Sequence, residues 1–416
     1  NIYKNSSFYE KKISKTLEID FNYKPSPHLL SSLINYQNKK YKIDELDFNI
    51  IWENSSKSRE FKKLNNFFWF FSLDLKSSKK STQLVISNWI HKNSNYKKES
   101  WEFDVTAKRI ISWLSNHHLT YNESNDEYKL IFNHMIQKQT NHLINEIKSS
   151  KSLEDKIIGC SAIILVGLSY KIEKNYLNFG LNFLKKIIKH SIDNQGFSRS
   201  RNIRQQIFYL KYFILIREWF KESLFEVPEH IDETIYYLGQ AYSYFWQNTQ
   251  VNLLFNGNNN SNNQDFDNYL KRLGYKFKNE NKDYCGYTIL QNKKICLVMD
   301  TGSSPEFKYS KDYQSGALSF EIVSNGKKLI SNCGYYKKGN QKLNQLSKSS
   351  ATHSTLVIDD NSSCKFLQKK DMWILKTGLK ITEKKSIYEK NYWKITAAHD
   401  GYLKKYNSIH EREIEF

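Results

Sequence analysis

Two arginines in one short loop set the first chemical expectation. The stretch Asp193-Asn194-Gln195-Gly196-Phe197-Ser198-Arg199-Ser200-Arg201-Asn202-Ile203 separates two helical patterns. A guanidinium is a planar fork of donors that grips a carboxylate or sulfate in bidentate fashion. In a chain whose cations are mostly lysines, Arg199 and Arg201 are therefore candidate binders of an acidic group, with Asn202 as a further donor. Tyr313 is a candidate proton carrier, provided it faces a groove. His353, in Thr352-His353-Ser354-Thr355, is a second candidate for proton transfer. The competing reading of the arginines is a solvated loop. For His353 it is a structural histidine bonded to backbone, which is the commoner case. His399-Asp400-Gly401-Tyr402 similarly fits a turn with a bonded histidine better than a metal site. The five cysteines are odd in number and show no CxxC spacing, which suggests neither a zinc knuckle nor a disulfide framework.

The elements that must position these residues change character along the chain. From about Phe61 to Trp246 apolar residues recur at helical spacing, in stripes such as Leu64, Phe67, Phe68 and Phe71. The run Ile157–Leu168 is too short to span a bilayer and fits a buried helix, with Cys160 as a core residue. Leu177–His190, Gln205–Phe220 and Ile231–Trp246 continue the series, so a set of helical hairpins is expected. The aromatic stripes Phe67–Phe71 and Tyr242–Trp246 are expected in the core. Beyond the polar run Phe255-Asn256-Gly257-Asn258-Asn259-Asn260 the period becomes two, with Asn325-Gly326 a hairpin signal and His353–Ile358 a further strand. The expected fold class is α+β multidomain. It comprises a lead-in over 1–60, a helical domain over 61–250, an Asn-rich linker over 251–266 and an antiparallel β domain over 267–416.

Composition narrows the function classes. The chain has 416 residues with 39% hydrophobic and 15% aromatic content and only 4 prolines and 15 glycines, which excludes a disordered or fibrous protein. Lys+Arg of 63 against Asp+Glu of 43 gives +20. That charge would attract an acidic polysaccharide, a lipid surface or nucleic acid. The lysines are scattered with no compact basic arm, so nucleic acid ranks last. The first residue is Asn1 rather than Met, and the last residues alternate like an unfinished strand; both ends are expected to be truncations.

Four segments in fixed order carry a resemblance. They are Trp101 with Asp104–Trp113; Gly316-Ala317-Leu318-Ser319-Phe320-Glu321 with Leu329–Gly334; Ala351–Asp359; and His399-Asp400-Gly401-Tyr402 with His410-Glu411-Arg412. Together they resemble the heparinase II/III family of polysaccharide lyases, in its bacterial branch of unassigned substrate. The resemblance implies an incomplete α/α toroid followed by an antiparallel β-sandwich, export to the periplasm or cell envelope, and β-elimination on a uronate-containing acidic polysaccharide. It also implies a structural divalent metal held by His and Asp, for which His353 and His399 are the candidate ligands, and a family role for His410. The chain departs from the family pattern at several places. Glu154-Asp155 stands where an Asn-His pair belongs, and no Tyr lies in 193–203. Asp312-Tyr313-Gln314-Ser315 replaces a segment that often offers His and Asp, and Asn332 replaces a metal-binding Asp.

Two functional readings follow. In one the protein is a lyase, with Arg199, Arg201 and Asn202 holding the acid, Tyr313 or His353 moving protons, and the cleft between toroid and sandwich as the place of reaction. In the other it is a catalytically silent relative that binds an acidic glycan or serves the cell envelope.

Overall fold

A computed structural model describes residues 2–34, 59–74, 76–150, 152–170, 175–259, 263–336, 341–369, 372–390 and 392–415. Residues 35–58 of the expected lead-in lie outside it. The chain forms two compact units. The first comprises Asn1–Lys189 and Lys211–Glu233, the second His190–Leu210 and Thr234–Phe416. The second unit thus takes in the arginine loop as well as the β strands, and packing divides the chain differently from the change in sequence period.

The first unit is helical. Its principal helices are Lys79–Asn93, Phe103–Ser115, Asp126–Glu146, Leu153–Tyr170 and Asn175–Ser191. Leu153–Tyr170 is buried on every side from Ile157 to Tyr170, which explains its unbroken apolar sequence, and Cys160 is in the core as expected. Among the described residues no helix is long and apolar enough to cross a membrane. The first of the four motifs is packing. Trp101, Trp113 and Arg109 are buried, and Arg109 lies 3.9 Å over the Trp89 ring. Its guanidinium donates to Gln139 Oε1 at 2.8 Å and to the carbonyls of Asn65 and Ser100 at 2.8 and 2.9 Å. The Phe67–Phe71 stripe is largely core.

The second unit holds three antiparallel sheets. The largest is a meander of β1 Asp283–Tyr284, β2 Tyr287–Gln291, β3 Ile295–Asp300, β4 Phe320–Ser324 and β5 Lys327–Ile330. The β4–β5 turn is Asn325-Gly326, with φ of 49° and 75°, the left-handed pair a tight hairpin needs. β6 Lys365–Lys369 and β7 Met372–Thr377 pair separately. β8 Ile381–Tyr388, β9 Trp393–His399 and β10 His410–Glu415 make a three-stranded sheet in the order β10-β9-β8. Leu290, Leu297 and Met299 of the first sheet pack with Ile395 and Ala397 of the third, giving the two-layer core of a sandwich. Tyr242, Tyr244, Phe245 and Trp246 are buried, as the pattern implied.

Two expectations need correction. His353–Ile358 is a turn and an irregular segment after the short helix Ser350–Thr352, not a strand. Ser354 Oγ bonds the Phe320 backbone and Thr355 Oγ1 the Ala317 carbonyl, so side chains rather than ladder pairing hold the segment. The Asn-rich run is not a free linker either. Asn256 and Asn258 are buried, and the segment is fastened by its side-chain amides, which donate to Asp300 and to the Leu253 carbonyl. The helix Gln264–Arg272 follows it.

Gly167 lies where the buried helix meets Leu177, and a Cβ there would stand 2.7 Å from the Leu177 backbone nitrogen. Helix propensity alone would make Gly167→Ala stabilising by about 1 kcal/mol. The contact with rigid backbone reverses the sign, for a net loss of about 1–3 kcal/mol. Thermal unfolding of the variant checks this: the melting temperature drops, and an unchanged or raised value refutes the tight approach.

Candidate functional site

Arg201, Asn202 and Tyr313 come together within the second unit. Arg201 occupies the left-handed region at φ 58°, a strained conformation for a side-chain-bearing residue, and its carbonyl accepts from the Tyr287 hydroxyl at 3.2 Å. The guanidinium is buried. It meets Asp300 Oδ1 at 2.8 Å, the Gly286 carbonyl at 2.9 Å and the Gly302 carbonyl at 3.0 Å, and it lies 4.7 Å over the Tyr287 ring. Burial alone would lower its pKa, but the Asp300 carboxylate outweighs that and holds it above the ordinary arginine value. Arg201 is thus a structural anchor, which corrects its expected role in gripping substrate. Arg199 behaves differently. It is exposed, and its Nε donates to the Ile192 carbonyl at 3.1 Å.

Asn202 is fully buried and caps the helix Ile203–Glu222. Its Oδ1 accepts from the Gln205 amide at 3.1 Å, one of the amides a helix start leaves unpaired. Its Nδ2 donates to Asp312 Oδ2 at 3.1 Å, so Asn202 is fixed between a helix start and a carboxylate rather than open to a ligand. Asp312 Oδ1 is buried and makes no hydrogen bond of good geometry among the described residues. The hydroxyl of Tyr335 faces this carboxylate and makes a long contact of 3.5 Å to the Lys311 carbonyl. Burial, then the nearby Asp312 charge, raises the Tyr335 pKa, while Arg204 acts in the opposite direction.

The segment that carries Asp312 is pinned from one side. Gln314 is buried, accepts from the Gly257 amide at 3.0 Å, and donates to the carbonyls of Gly334 and Ser347 at 3.1 and 2.6 Å. Lys348 Nζ donates to the carbonyls of Lys311 at 2.7 Å and Tyr313 at 2.9 Å. Burial lowers the Lys348 pKa to about 7, with Asp312 opposing the shift.

The two expected proton carriers are placed unfavourably. Tyr313 is 0% exposed, packed with Ala317, Cys364, Leu375 and Leu379, and burial pushes its hydroxyl well above the usual tyrosine range. It points into the core and not into a groove, which removes it as a carrier. His353 packs against Gly316, where a Cβ would lie 3.3 Å from the ring. Burial lowers its pKa to about 4, and its Nε2 is buried without a partner. It stands in the turn that follows the helix Ser350–Thr352. Asp300, Asp312, Tyr335 and Lys348 were not singled out from sequence. Asp312 lies in the 312–315 segment that departs from the family pattern, which is its sequence signal. Lys348 is hidden among lysines.

Of the two metal candidates, His399 has protein partners on both ring nitrogens. His399 Nδ1 accepts from the Gly401 amide at 3.0 Å, so its proton sits on Nε2, which donates to His410 Nδ1 at 3.1 Å. Neither nitrogen of His399 retains a free lone pair for a metal. Among the described residues no group of three or more His, Cys, Asp or Glu side chains is arranged to hold one.

Residues 279–416 match the family model described as heparinase II/III-like, C-terminal, which bears out over that range the resemblance carried by the motifs. No curated protein matches. A crystal structure of heparinase III matches with 15% identity and a TM-score of 0.66, covering 100% of this chain and 75% of that one. Heparan sulfate lyase HepC from Pedobacter heparinus matches with 13% identity and a TM-score of 0.60, covering 97% and 69%. At these identities the likeness shows the fold: a helix-rich N-terminal part and C-terminal antiparallel sheets of the toroid-and-sandwich class.

The His399–His410 pair makes a pH prediction. Burial, ahead of mutual repulsion in His399 and ahead of Arg412 in His410, holds both pKa values at about 4 against an unfolded value of 6.5. The unfolded chain therefore binds protons first, so the stability these residues contribute is complete above pH 6.5 and is lost toward pH 4. His410→Asn should flatten that acid limb by at most about 1.4 kcal/mol per pH unit, read from urea unfolding midpoints. An acid limb of unchanged slope would contradict the assignment.

Proposed function

We propose that this chain, whose residues 279–416 form a heparinase II/III-like domain, acts by β-elimination on an acidic, uronate-containing polysaccharide, and that it works in the periplasm or cell envelope. Its chemical centre is Asp312 with Tyr335, not Tyr313 with His353. The observation that carries the reading is the buried Asp312 Oδ1, which makes no hydrogen bond of good geometry, set beside the Tyr335 hydroxyl, with Asp312 held by Asn202 and Tyr335 in contact with the Lys311 carbonyl. Elimination from a uronate needs its carboxylate neutralised, the C5 proton removed and the leaving oxygen protonated. In this reading Asp312 takes the C5 proton, the C4–oxygen bond breaks as the C4–C5 double bond forms, and Tyr335, which its raised pKa keeps protonated, gives its proton to the leaving oxygen. Arg199, exposed on the loop that ends at Asn202, suits the substrate's acidic groups.

A second reading is a silent, glycan-binding relative. It is favoured by the engagement of Arg201 with Asp300 and the core position of Tyr313. Absorbance of unsaturated uronate, measured on heparan sulfate, chondroitin sulfate, hyaluronan and alginate, separates the two. The lyase reading expects product from at least one of them and a loss of about 100-fold or more in Tyr335→Phe. Intact binding with no product from any of them decides for the silent relative.

A further inference from the structure

Lys348 is 1% exposed and, among the described residues, forms no direct ion pair. Its nitrogen donates to the carbonyls of Lys311 and Tyr313, the residues on either side of Asp312. It also lies 5.3 Å over the ring of Tyr335 and 5.0 Å over that of Phe366. The Lys348 carbonyl accepts from the Ser315 amide at 2.9 Å, so its backbone is tied to the same segment. One side chain thus holds both neighbours of Asp312 and the ring of Tyr335. A buried carboxylate oxygen without a hydrogen bond is costly unless a positive charge stands near it, and an ammonium placed here supplies that charge.

We propose that Lys348 is the positioning residue of the Asp312–Tyr335 centre: its ammonium holds the backbone on either side of Asp312 and the ring of Tyr335, and loss of its proton disables the site. This rests on the reading of Asp312 and Tyr335 as the chemical centre. The charged groups felt at Lys348 are Asp312, which favours the ammonium, and Lys311, which opposes it. Arg204 acts on Tyr335 from the helix Ile203–Glu222. Burial brings the titration of Lys348 to about 7, so the site is expected to fail on the alkaline side of neutrality.

The test uses the whole chain labelled with 13C at lysine Cε, with the Lys348 resonance identified by its loss in Lys348→Arg. In the unsubstituted protein that resonance should titrate near neutrality. Removing the anion in Asp312→Asn should move the midpoint lower by about one pH unit, a tenfold change in proton affinity. A resonance that titrates with the surface lysines, or ignores Asp312→Asn, overturns the proposal. Turnover against pH gives the second arm, on whichever of the four polysaccharides yields product. Activity should fall about tenfold per pH unit above neutrality, and the permanently charged Lys348→Arg should move that fall to higher pH while retaining acid-side turnover. A fall at the same pH in Lys348→Arg overturns the proposal. If no polysaccharide yields product, the lyase reading fails and the labelled titration alone decides the role of Lys348.

Discussion

A buried arginine persists only where an opposite charge and a set of acceptors replace the water it has lost. Arg201 has both in Asp300 and three backbone carbonyls. The other Asp300 oxygen accepts from Asn256 at 2.8 Å, and Asn256 also donates to the Tyr287 hydroxyl. The end of strand β3, the loop ending at Asn202 and the turn at Asn256 therefore depend on one ion pair. Removing either partner leaves an uncompensated buried charge, which costs on the order of 3–5 kcal/mol.

The chemistry is built one residue further on. Because Arg201 is anchored, Asn202 is fixed where it can cap the helix Ile203–Glu222 and reach Asp312. Gln314 and Lys348 then hold the segment around Asp312 from the Ser347 side. The polar groups of this region form a buried network in which one carboxylate oxygen remains unpaired. The Oδ1 of Asp312 is the charged member among the buried polar atoms of this region that lack a partner, which include Asn258 Oδ1 and Ser315 Oγ, and a buried charged group of this kind is a candidate for chemistry.

The architecture was legible in the sequence because it rests on periodicity. Buried helices such as Leu153–Tyr170 and the Asn325-Gly326 hairpin are local patterns that long-range packing did not override. The site was less legible because its decisive contacts join distant positions: Arg201 with Asp300, and Asn202 with Asp312. Two arginines in a loop look alike on paper. The difference between exposed Arg199 and buried Arg201 comes from an acid at the end of a strand almost one hundred residues on. The Asn-rich run misled for a related reason. Polar composition suggests a solvated linker, whereas Asn256 and Asn258 use their amides to satisfy buried backbone and a carboxylate. Tyr313 failed as a candidate because residue type says nothing of direction, and its neighbour Asp312 faces the polar network instead.

Amide hydrogen exchange on Asp300→Asn tests the anchoring role of the Arg201–Asp300 pair most directly. The account predicts that the amides of Arg201, Gly257 and Gly302, bonded to Ser198, Gln314 and Asp300, lose protection together. Amides of the helix Leu153–Tyr170 in the other unit should keep theirs. Unchanged protection at Arg201 and Gly257 in the variant would contradict the claim that this ion pair holds the loop and turn together.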